Sequence, residues 1–417
     1  MFSQVEAVNY RSLRDISQSL DRFHTLVGPN ASGKSSFLDV IRFLSDMMER
    51  EGVEVALRER APTWQDLVWM RSGSSFELAV EADIPEEIRS SLENPRWNRC
   101  RYQVRIGQTS KQEPVGILRE SLRLRENKSE EPSQIEIWPD EERRLRSSLL
   151  REKARRGVKT VVKKVEGGND NFYDETGSGW DHAFKLGPQR SALANLPEDE
   201  NKFPTSTWFK RLLVDGIDFI HLDSDSMQKA SPPGKGTAFL PDGSNLPWVI
   251  RHLSQDDPDT FDRWLRHIRT ALGDLRDIDT VVREEDRHCY IRVEYENGVR
   301  VPSWGLSDGT LRLLALTILP YLSDTRGTYL IEEPENGIHP RAVETVYSSL
   351  SSVYDSQVLV ATHSPVFLSA SQPRELLCFA KDDAGRSAIV RGSEHPRLSR
   401  WQQETDLGTL FAGGVLS

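Results

Sequence analysis

The sequence has little cysteine and no long apolar run. Its three cysteines, Cys100, Cys289 and Cys378, are odd in number and far apart, which excludes a disulfide framework and offers no metal-ligand spacing. No stretch of 18 or more uninterrupted apolar residues occurs among the 417, which excludes a membrane-spanning helix. The N-terminus also lacks the basic start, apolar stretch and cleavage pattern of a secretory signal. We therefore expect a cytoplasmic protein with no membrane partner.

Positive charge is also in deficit. The chain has 54 Lys and Arg against 64 Asp and Glu, a formal net charge of −10, which argues against a surface coated evenly for nucleic-acid binding. One segment departs from this balance, because residues 143–164 contain ten Lys or Arg and one Glu. This basic segment could neutralise the phosphates of a nucleic acid or could be a solvated face.

The two ends of the chain show strands that alternate with helices. An apolar run at 23–27 precedes a glycine-containing loop and a helical pattern, and apolar strands at 327–331 and 357–361 flank a helical stretch at 341–353. This alternation predicts a parallel sheet covered on both faces. The fold class is therefore α/β.

The middle of the chain has a different pattern, with β-like alternation, charged loops and short helices. Asn297-Gly298 is the sequence of a tight hairpin turn. The predicted elements are strands at 76–80, 101–106 and 117–124, helices at 207–213 and 259–272, and a hairpin at 289–301. We therefore predict an N-terminal lobe at 1–82, a large inserted region at 83–284 and a C-terminal lobe at 285–417.

One segment matches G-x-x-x-x-G-K-[ST], the pattern of a loop that binds nucleotide phosphates. The glycines allow backbone N–H groups to converge on phosphate oxygens, Lys34 can neutralise the β- and γ-phosphates, and the Ser35 hydroxyl can ligate Mg²⁺. An ordinary glycine-containing turn is the alternative, but the strand before the loop and the helix after it favour phosphate binding. The predicted nucleotide-binding residues are Gly28, Pro29, Asn30, Ala31, Ser32, Gly33, Lys34, Ser35 and Ser36.

Three more polar segments lie at strand or helix ends. Glu332 and Glu333 follow an apolar strand, where open α/β sheets bind ligands, and would lie next to the phosphate loop if the strands are neighbours. One carboxylate could hold a metal and the other could position water. His363 follows the next strand and could contact a γ-phosphate or the attacking water. Ser307 and Gly309 precede an apolar helix and could form an anion cup. A solvated strand end, an ordinary histidine and a helix cap are the respective alternatives.

The order of these four motifs resembles that of the ABC class of ATPase heads. The closer resemblance is to stand-alone bacterial AAA-type ATPases related to OLD-family proteins, and it spans nearly the whole chain, with the basic middle least covered. It implies an ABC-type head with mixed parallel and antiparallel sheets, split by the inserted region. The segments that carry it are NYRSL at 9–13, DGSNL at 242–246, SDGTLR at 307–312, EEPENGIHP at 332–340 and THSP at 362–365.

The resemblance implies that ATP and Mg²⁺ are the ligands. In such heads Lys34 and Ser35 would be the phosphate and Mg²⁺ residues, and Glu332 the acid on the Mg²⁺ side. Glu333 would be the base that polarises the attacking water, and His363 the switch histidine.

The resemblance also implies that the site is completed by a second chain. The signature segment, Ser307, Asp308 and Gly309, would close over ATP bound to another protomer of a homodimer or higher homo-oligomer. Two residues depart from the usual pattern: Glu332 stands where Asp is usual, with a longer arm that should still bind Mg²⁺, and Asp308 replaces a glycine and brings a negative charge near a phosphate. Gln65 is a candidate for the glutamine that senses metal and water, with a solvated side chain as the alternative.

Spacing separates the functions found among such heads. Lys34 and Glu333 are 299 residues apart, more than a compact transporter domain needs, and the stretch between them is not a long coiled coil. The 54 residues after His363 carry no D-x-D carboxylate cluster of a nuclease. We therefore expect an ATP-hydrolysing switch or sensor in bacterial anti-phage defence that acts on a separately encoded effector, a nuclease or toxin. The alternative is an ATPase of DNA repair or maintenance that binds DNA ends or gaps through residues 143–164.

Overall fold

A computed structural model describes residues 1–49, 52–110, 112–126, 138, 145–150, 157–177, 179–323, 327–398 and 406–414. None of the helices in these ranges has the length and apolar character needed to cross a membrane. The strands are β1 (Phe2–Tyr10), β2 (Leu13–Ser19), β3 (Phe23–Val27), β4 (Ser75–Asp83), β5 (Arg99–Gly107), β6 (Gly116–Arg125), β7 (Val158–Val165), β8 (Asp170–Tyr173), β9 (Trp180–Phe184), β10 (Ile217–Ile220), β11 (Leu275–Val282), β12 (Cys289–Tyr295), β13 (Arg300–Pro302), β14 (Thr328–Glu332), β15 (Gln357–Ala361), β16 (Leu376–Lys381) and β17 (Ser387–Arg391). The helices are α1 (Lys34–Glu49), α2 (Val53–Arg58), α3 (Glu86–Arg89), α4 (Pro204–Val214), α5 (Ser224–Gln228), α6 (Leu246–Asp256), α7 (Pro258–Ile268), α8 (Asp308–Ile318), α9 (Pro340–Ser351), α10 (Pro365–Ala370) and α11 (Leu407–Ala412).

A six-stranded sheet in the order β10-β14-β15-β3-β16-β17 lies at the centre. Its first five strands are parallel and β17 pairs antiparallel with β16. Successive residues of a strand point to opposite faces, so Leu330 joins one hydrophobic core and Ile331 the other. Because both faces are covered, the strands are apolar along almost their whole length. The predicted parallel sheet is confirmed.

An eight-stranded antiparallel sheet, in the order β2-β1-β4-β5-β6-β7-β8-β9, covers one side of the central sheet through the shared core. The helix that follows the phosphate loop, α1, packs between them. The rings of Tyr10, Phe43 and Phe76 contact one another at centroid distances of 5.0 to 6.0 Å and join β1, α1 and β4. These buried aromatic contacts fix the direction in which α1 leaves the loop.

The opposite face of the central sheet is covered by α6 to α9 and by a three-stranded sheet, β11-β12-β13. Its hairpin turns at Asn297-Gly298, as predicted, and Gly298 has the left-handed φ of 79° that such a turn requires. The buried Trp264 of α7 donates a 3.1 Å hydrogen bond to Thr317 of α8. The predicted helix at 259–272 ends at Ile268, because the chain turns there toward β11.

The region predicted as an insert contributes to both large sheets. The boundary at 83 coincides with the end of β4, and β4 pairs with β5 on the other side of it. Further along, β10 enters the central sheet beside β14. The described part of residues 83–284 therefore shares both sheets with the segments on either side of it, and the three predicted divisions remain a prediction.

Part of the basic segment is a strand of the eight-stranded sheet. Residues 143, 144 and 151–156 lie outside the described residues. Among the rest, Arg146 pairs with Asp15 at 2.6 Å, Lys164 pairs with Asp170 at 2.7 Å, and Lys159 pairs with Glu93. Lys163 is exposed. Three of the four described cations of this segment therefore hold the fold together.

Candidate functional site

The phosphate-binding motif forms a tight loop between the buried strand β3 and helix α1. Gly28 has a φ of +152°, and a Cβ there would lie 2.2 Å from the carbonyl oxygen of Phe379. Gly33 has a φ of +110°, and a Cβ there would lie 2.4 Å from the hydroxyl oxygen of Ser387. Both positions require glycine because the loop lies against β16 and β17.

Lys34 folds back over this loop. Its Nζ donates hydrogen bonds to the carbonyl oxygens of Gly28, at 2.8 Å, and Pro29, at 3.0 Å. Burial lowers the pKa of Lys34 to about 8, although the charges of Glu333 and Glu332 act in the opposite direction. The ammonium group is thus placed at the centre of the loop and can exchange its carbonyl partners for phosphate oxygens.

A cleft of about 320 Å³ opens where the carboxyl ends of the central strands meet. Lys34 and Ser35 line it from the start of α1, Glu332 and Glu333 from the end of β14, and His363 from the loop after β15. The structure therefore brings together five of the residues that the sequence predicted for phosphate, metal and water.

The order of the strands that carry these five residues differs from the simplest expectation, in which β14 and β3 are neighbours. The acids were expected beside the phosphate loop if β14 and β3 were neighbours, but β15 lies between these two strands. Strand β15, which precedes His363, is therefore the neighbour of β3 and its phosphate loop. Glu332 and Glu333 reach the same cleft from the end of β14, one strand further away.

Glu333 has a strained backbone conformation. Its φ is +48°, in the left-handed region that is uncommon for residues other than glycine. Its backbone N–H donates a 2.7 Å hydrogen bond to the carbonyl oxygen of Ala361, and its carboxylate accepts a 2.5 Å bond from the Asn336 amide. Strain of this kind concentrates at functional sites, where the surrounding structure imposes it.

His363 is half-buried at the wall of the cleft. Burial and the neighbouring charge of Lys34 lower the pKa of His363, while the charges of Glu333 and Glu335 oppose this effect. The cleft therefore favours the neutral imidazole, which can donate from one nitrogen and accept at the other.

A second cleft, of about 230 Å³, shares Ser35 and Glu332 with the first. Its other walls are charged: Asp39 of α1 accepts a 2.5 Å hydrogen bond from Tyr10 and a 2.8 Å bond from Arg60, and Arg11 lies 3.1 Å from the same carboxylate. Ser35 and Glu332 thus lie between the two clefts and line both of them.

The donor set fits Mg²⁺ that is bound together with a nucleotide. Ser35 and Glu332 offer the hard oxygen ligands that Mg²⁺ prefers, and at ATP sites this ion usually takes only one or two protein ligands besides phosphates and water. In the described part of the chain, no group of three or more His, Cys, Asp or Glu side chains could hold a metal by itself.

The signature segment lies outside this cleft. Ser307 is exposed and caps α8, because its hydroxyl accepts a 3.2 Å hydrogen bond from the N–H of Thr310. Asp308 is also exposed and accepts a 3.1 Å bond from the Gln228 side chain. A Cβ on Gly309 would lie only 2.2 Å from the carbonyl oxygen of Gly337, so this glycine allows α8 to contact the loop after β14.

Gln65 does not line either cleft. Its side chain is exposed on a short 3₁₀ turn, Trp64–Leu67. The carbonyl oxygen of Leu67 accepts a 2.8 Å hydrogen bond from the N–H of Arg11, which places the turn beside the second cleft. The role of Gln65 as a sensor of metal and water stays a prediction.

The cleft also contains polar residues to which the sequence analysis gave no role. His221 directly follows strand β10, so a search for polar residues after strands could have found it too. Arg312 of α8 and Asn336 lie inside the motif segments 307–312 and 332–340, but the motifs alone do not show which of their side chains face the cleft.

The residues of this cleft lie inside a segment that matches a known family. A family model described as "AAA domain, putative AbiEii toxin, Type IV TA system" matches residues 23–369. The chain belongs to this AAA-domain family. The match begins at β3 and includes the phosphate loop, the signature segment, both acids and His363, so the expected relation to AAA-type ATPases is confirmed.

One curated relative is the OLD nuclease of Thermus scotoductus. The two sequences are 28% identical over 130 residues, which are 29% of this chain and 25% of that protein. The match thus spans about a quarter of the length of the relative. The relation to OLD-family proteins expected from the motifs is confirmed at this level.

Two solved structures show the fold. The SmcHead, bound in its crystal to the C-winged helix domain of ScpA, has a TM-score of 0.54 and 13% identity, with 93% of this chain and 97% of that chain covered. The Pyrococcus furiosus Smc head domain with an extended coiled coil, bound to the C-terminal domain of ScpA, has a TM-score of 0.50 and 12% identity, with 93% and 95% covered. This chain therefore has an α/β fold that resembles the Smc head domain, with mixed parallel and antiparallel sheets.

Proposed function

We propose that the protein binds and hydrolyses ATP with Mg²⁺ and uses this cycle as a switch. The observation that carries the proposal is the convergence of Lys34, Glu333 and His363, with the metal-side pair Ser35 and Glu332, on one cleft at the carboxyl edge of the central sheet. Phosphoryl transfer to water requires a positioned cation, a metal and an oriented water molecule. These five side chains include a cation, two oxygen groups that would hold the metal and two groups that would face the water and the γ-phosphate.

Each residue has a distinct part in the proposed reaction. Lys34 neutralises the β- and γ-phosphates. Glu333, held by Asn336, orients the attacking water and accepts its proton, and His363 donates a hydrogen bond to the γ-phosphate. Bound Mg²⁺, held by Ser35 and Glu332, would neutralise the charge on the phosphate oxygens.

The signature segment favours a site shared between two chains. Ser307 and Asp308 are exposed and lie outside the cleft of their own chain. In the proposed cycle, the segment of one copy closes over ATP held by another, so ATP drives head-to-head assembly of a homodimer or higher homo-oligomer. The Asp308 carboxylate accepts a hydrogen bond from the Gln228 side chain, which holds it on its own chain.

The switch serves bacterial anti-phage defence through a separately encoded effector, a nuclease or toxin. Two findings support this part of the proposal. The description of the family names a toxin and a toxin–antitoxin system, and a curated relative is an OLD nuclease. Assembly and release of the heads would then control the activity of the effector.

The alternative, an ATPase of DNA repair or maintenance, needs a nucleic-acid contact at 143–164. In the described part of this segment, Arg146, Lys159 and Lys164 are already paired with acids, which leaves the exposed Lys163 as the remaining described cation. The internal pairing favours the defence switch as the first candidate.

The two candidates separate in one experiment. The purified protein is assayed for ATP hydrolysis, for copurification with the product of the neighbouring gene, and for DNA and RNA binding between about 50 and 200 mM salt. A switch with an effector hydrolyses ATP and copurifies with that product. Steeply salt-dependent binding to DNA ends without such a partner would support repair, and the absence of hydrolysis would refute both.

A further inference from the structure

The carboxylate of Glu335 links the acid loop to the histidine loop. Glu335 lies in the turn after β14, and its Oε1 accepts a 2.6 Å hydrogen bond from the hydroxyl of Thr362 and a 3.1 Å bond from the backbone N–H of His363. The buried Thr362 hydroxyl accepts in turn a 2.9 Å bond from the N–H of Ser364. One carboxylate oxygen therefore organises the backbone that carries His363.

The second oxygen of this carboxylate, Oε2, is buried and has no hydrogen-bond partner among the described residues. Burial of an unpaired carboxylate oxygen is unfavourable, and a neutral Gln at this position could supply the same two acceptor contacts. Natural sequences break local rules of this kind mainly at functional sites. The unpaired oxygen, together with the two contacts made by Oε1, thus points to a role of Glu335 beyond that of a turn residue.

The surroundings of His363 show what the charge of Glu335 can do. The charged and titratable groups that line the cleft with His363 are Lys34 of α1, Glu332 and Glu333 after β14, His221 after β10 and Arg312 of α8. Lys34 lowers the pKa of His363, whereas Glu333 and Glu335 raise it. Glu335 acts from behind the histidine and does not line the cleft, so it remains beside His363 whatever the cleft binds.

We propose that Glu335 is a positioning residue of the ATPase site, which holds the His363 loop against the Glu333 loop so that both side chains face the same γ-phosphate. The inference rests on the proposed function for its catalytic meaning, but the contact itself can be tested without nucleotide. The backbone bond from Glu333 N–H to the Ala361 carbonyl ties the strand ends together, and the Glu335 carboxylate extends this link by two residues on each side, to Glu335 and His363.

Two substitutions separate the hydrogen bonds of Glu335 from its charge. Glu335→Ala removes the acceptor from the Thr362 hydroxyl and the His363 N–H. Glu335→Gln keeps an acceptor oxygen of the same reach but removes the charge. Glu344→Gln makes the same chemical change on the exposed face of α9 and is the matched control.

In steady-state assays, Glu335→Ala should lower kcat about 10- to 100-fold with little change in KM, because a displaced histidine affects the reacting phosphate more than ground-state binding. Glu335→Gln should recover most of this loss, and its pH–rate limb assigned to His363 should move to lower pH. Thr362→Val should reproduce the loss of Glu335→Ala and Thr362→Ser should not, which keeps the test decisive if Glu335→Ala does not fold.

Histidine-selective NMR of the nucleotide-free protein tests the contact apart from activity. The His363 amide signal, assigned with His363→Gln, should move upfield and exchange faster with solvent in Glu335→Ala, and should stay close to its wild-type position in Glu335→Gln and Glu344→Gln. An unchanged amide signal in a folded Glu335→Ala protein, or a wild-type kcat for it, would overturn the inference. Changed signals in a protein that never hydrolyses ATP would instead refute the proposed function and leave the contact established.

Discussion

The cleft and the signature segment differ in how completely one chain builds them. In the cleft, Lys34, Glu333 and His363 face one cavity and are held by contacts within the chain. At the start of α8, Ser307 and Asp308 are exposed and outside that cavity. The fold thus presents two surfaces that the ABC-type motif order assigns to one ATP site, but a single chain does not bring them together. This geometry is expected when two copies share a site.

The largest effect should come from the cleft itself. Lys34→Ala removes the ammonium group at the centre of the phosphate loop and leaves the glycine contacts intact. We expect ATP affinity to fall by at least about 30-fold, equivalent to about 2 kcal/mol, and hydrolysis to become undetectable. Calorimetry and phosphate release measure both. Lys163→Ala, an exposed lysine in β7, is the control and should behave as wild type.

Glu333→Gln should separate binding from chemistry. The amide preserves the size of the side chain and a contact with Asn336 but cannot accept the proton of water. We expect hydrolysis to slow about 100- to 10,000-fold, with ATP affinity retained and an ATP-dependent assembly that accumulates. Light scattering with and without ATP detects this species. Equal hydrolysis in Glu333→Gln and wild type would remove Glu333 from the proposed mechanism.

Ser307→Arg should affect the signature segment and leave the cleft unaffected. A large cation at the exposed cap of α8 leaves the cleft of its own chain unchanged but obstructs the phosphate site of a partner. We expect ATP affinity within about threefold of wild type, less than 1 kcal/mol, and loss of ATP-dependent assembly. Ser90→Arg, at an exposed serine after α3, is the control for the added charge. Loss of ATP binding in Ser307→Arg would show that the segment acts within its own chain.

The smallest effect concerns pH. In the free protein, burial lowers the pKa of Lys34 to about 8, and a bound phosphate favours the charged ammonium. ATP binding therefore takes up a proton when the pH exceeds this value, and affinity should fall as the pH rises above about 8 and level off below it. Titrations between pH 6.5 and 9.5 would show the trend. An affinity that rises over this range would contradict the placement of the lysine.

The sequence predicted most of the cleft because its motifs are local. A strand, a glycine loop and a helix are encoded within 23–49, and polar residues after apolar runs located Glu332, Glu333 and His363. The α/β class followed from the same alternation of elements. The hairpin at Asn297-Gly298 was predicted for the same reason, since two residues fix its turn.

Contacts between residues that are far apart in the sequence could not be predicted from such local motifs. The order of β14, β15 and β3 depends on packing between distant segments, so the expectation of neighbouring strands was incomplete. The contact of Glu335 with His363 joins residues 28 positions apart, and no spacing in the sequence announces it. The basic segment looked available for nucleic acid because the sequence does not show that Arg146 pairs with Asp15, 131 positions away, or that Lys159 pairs with Glu93, 66 positions away.

The central claim, that two chains share each ATP site, is tested most directly by mixing Ser307→Arg with Lys34→Ala. Each protein alone should be inactive, because every site in it lacks either the signature or the phosphate-loop lysine. A mixed dimer has one site with both parts intact, so an equal mixture that assembles at random should recover about a quarter of wild-type ATP hydrolysis. A mixture no more active than its components, together with a wild-type protein that hydrolyses ATP as a monomer at a concentration-independent specific rate, would contradict the shared site.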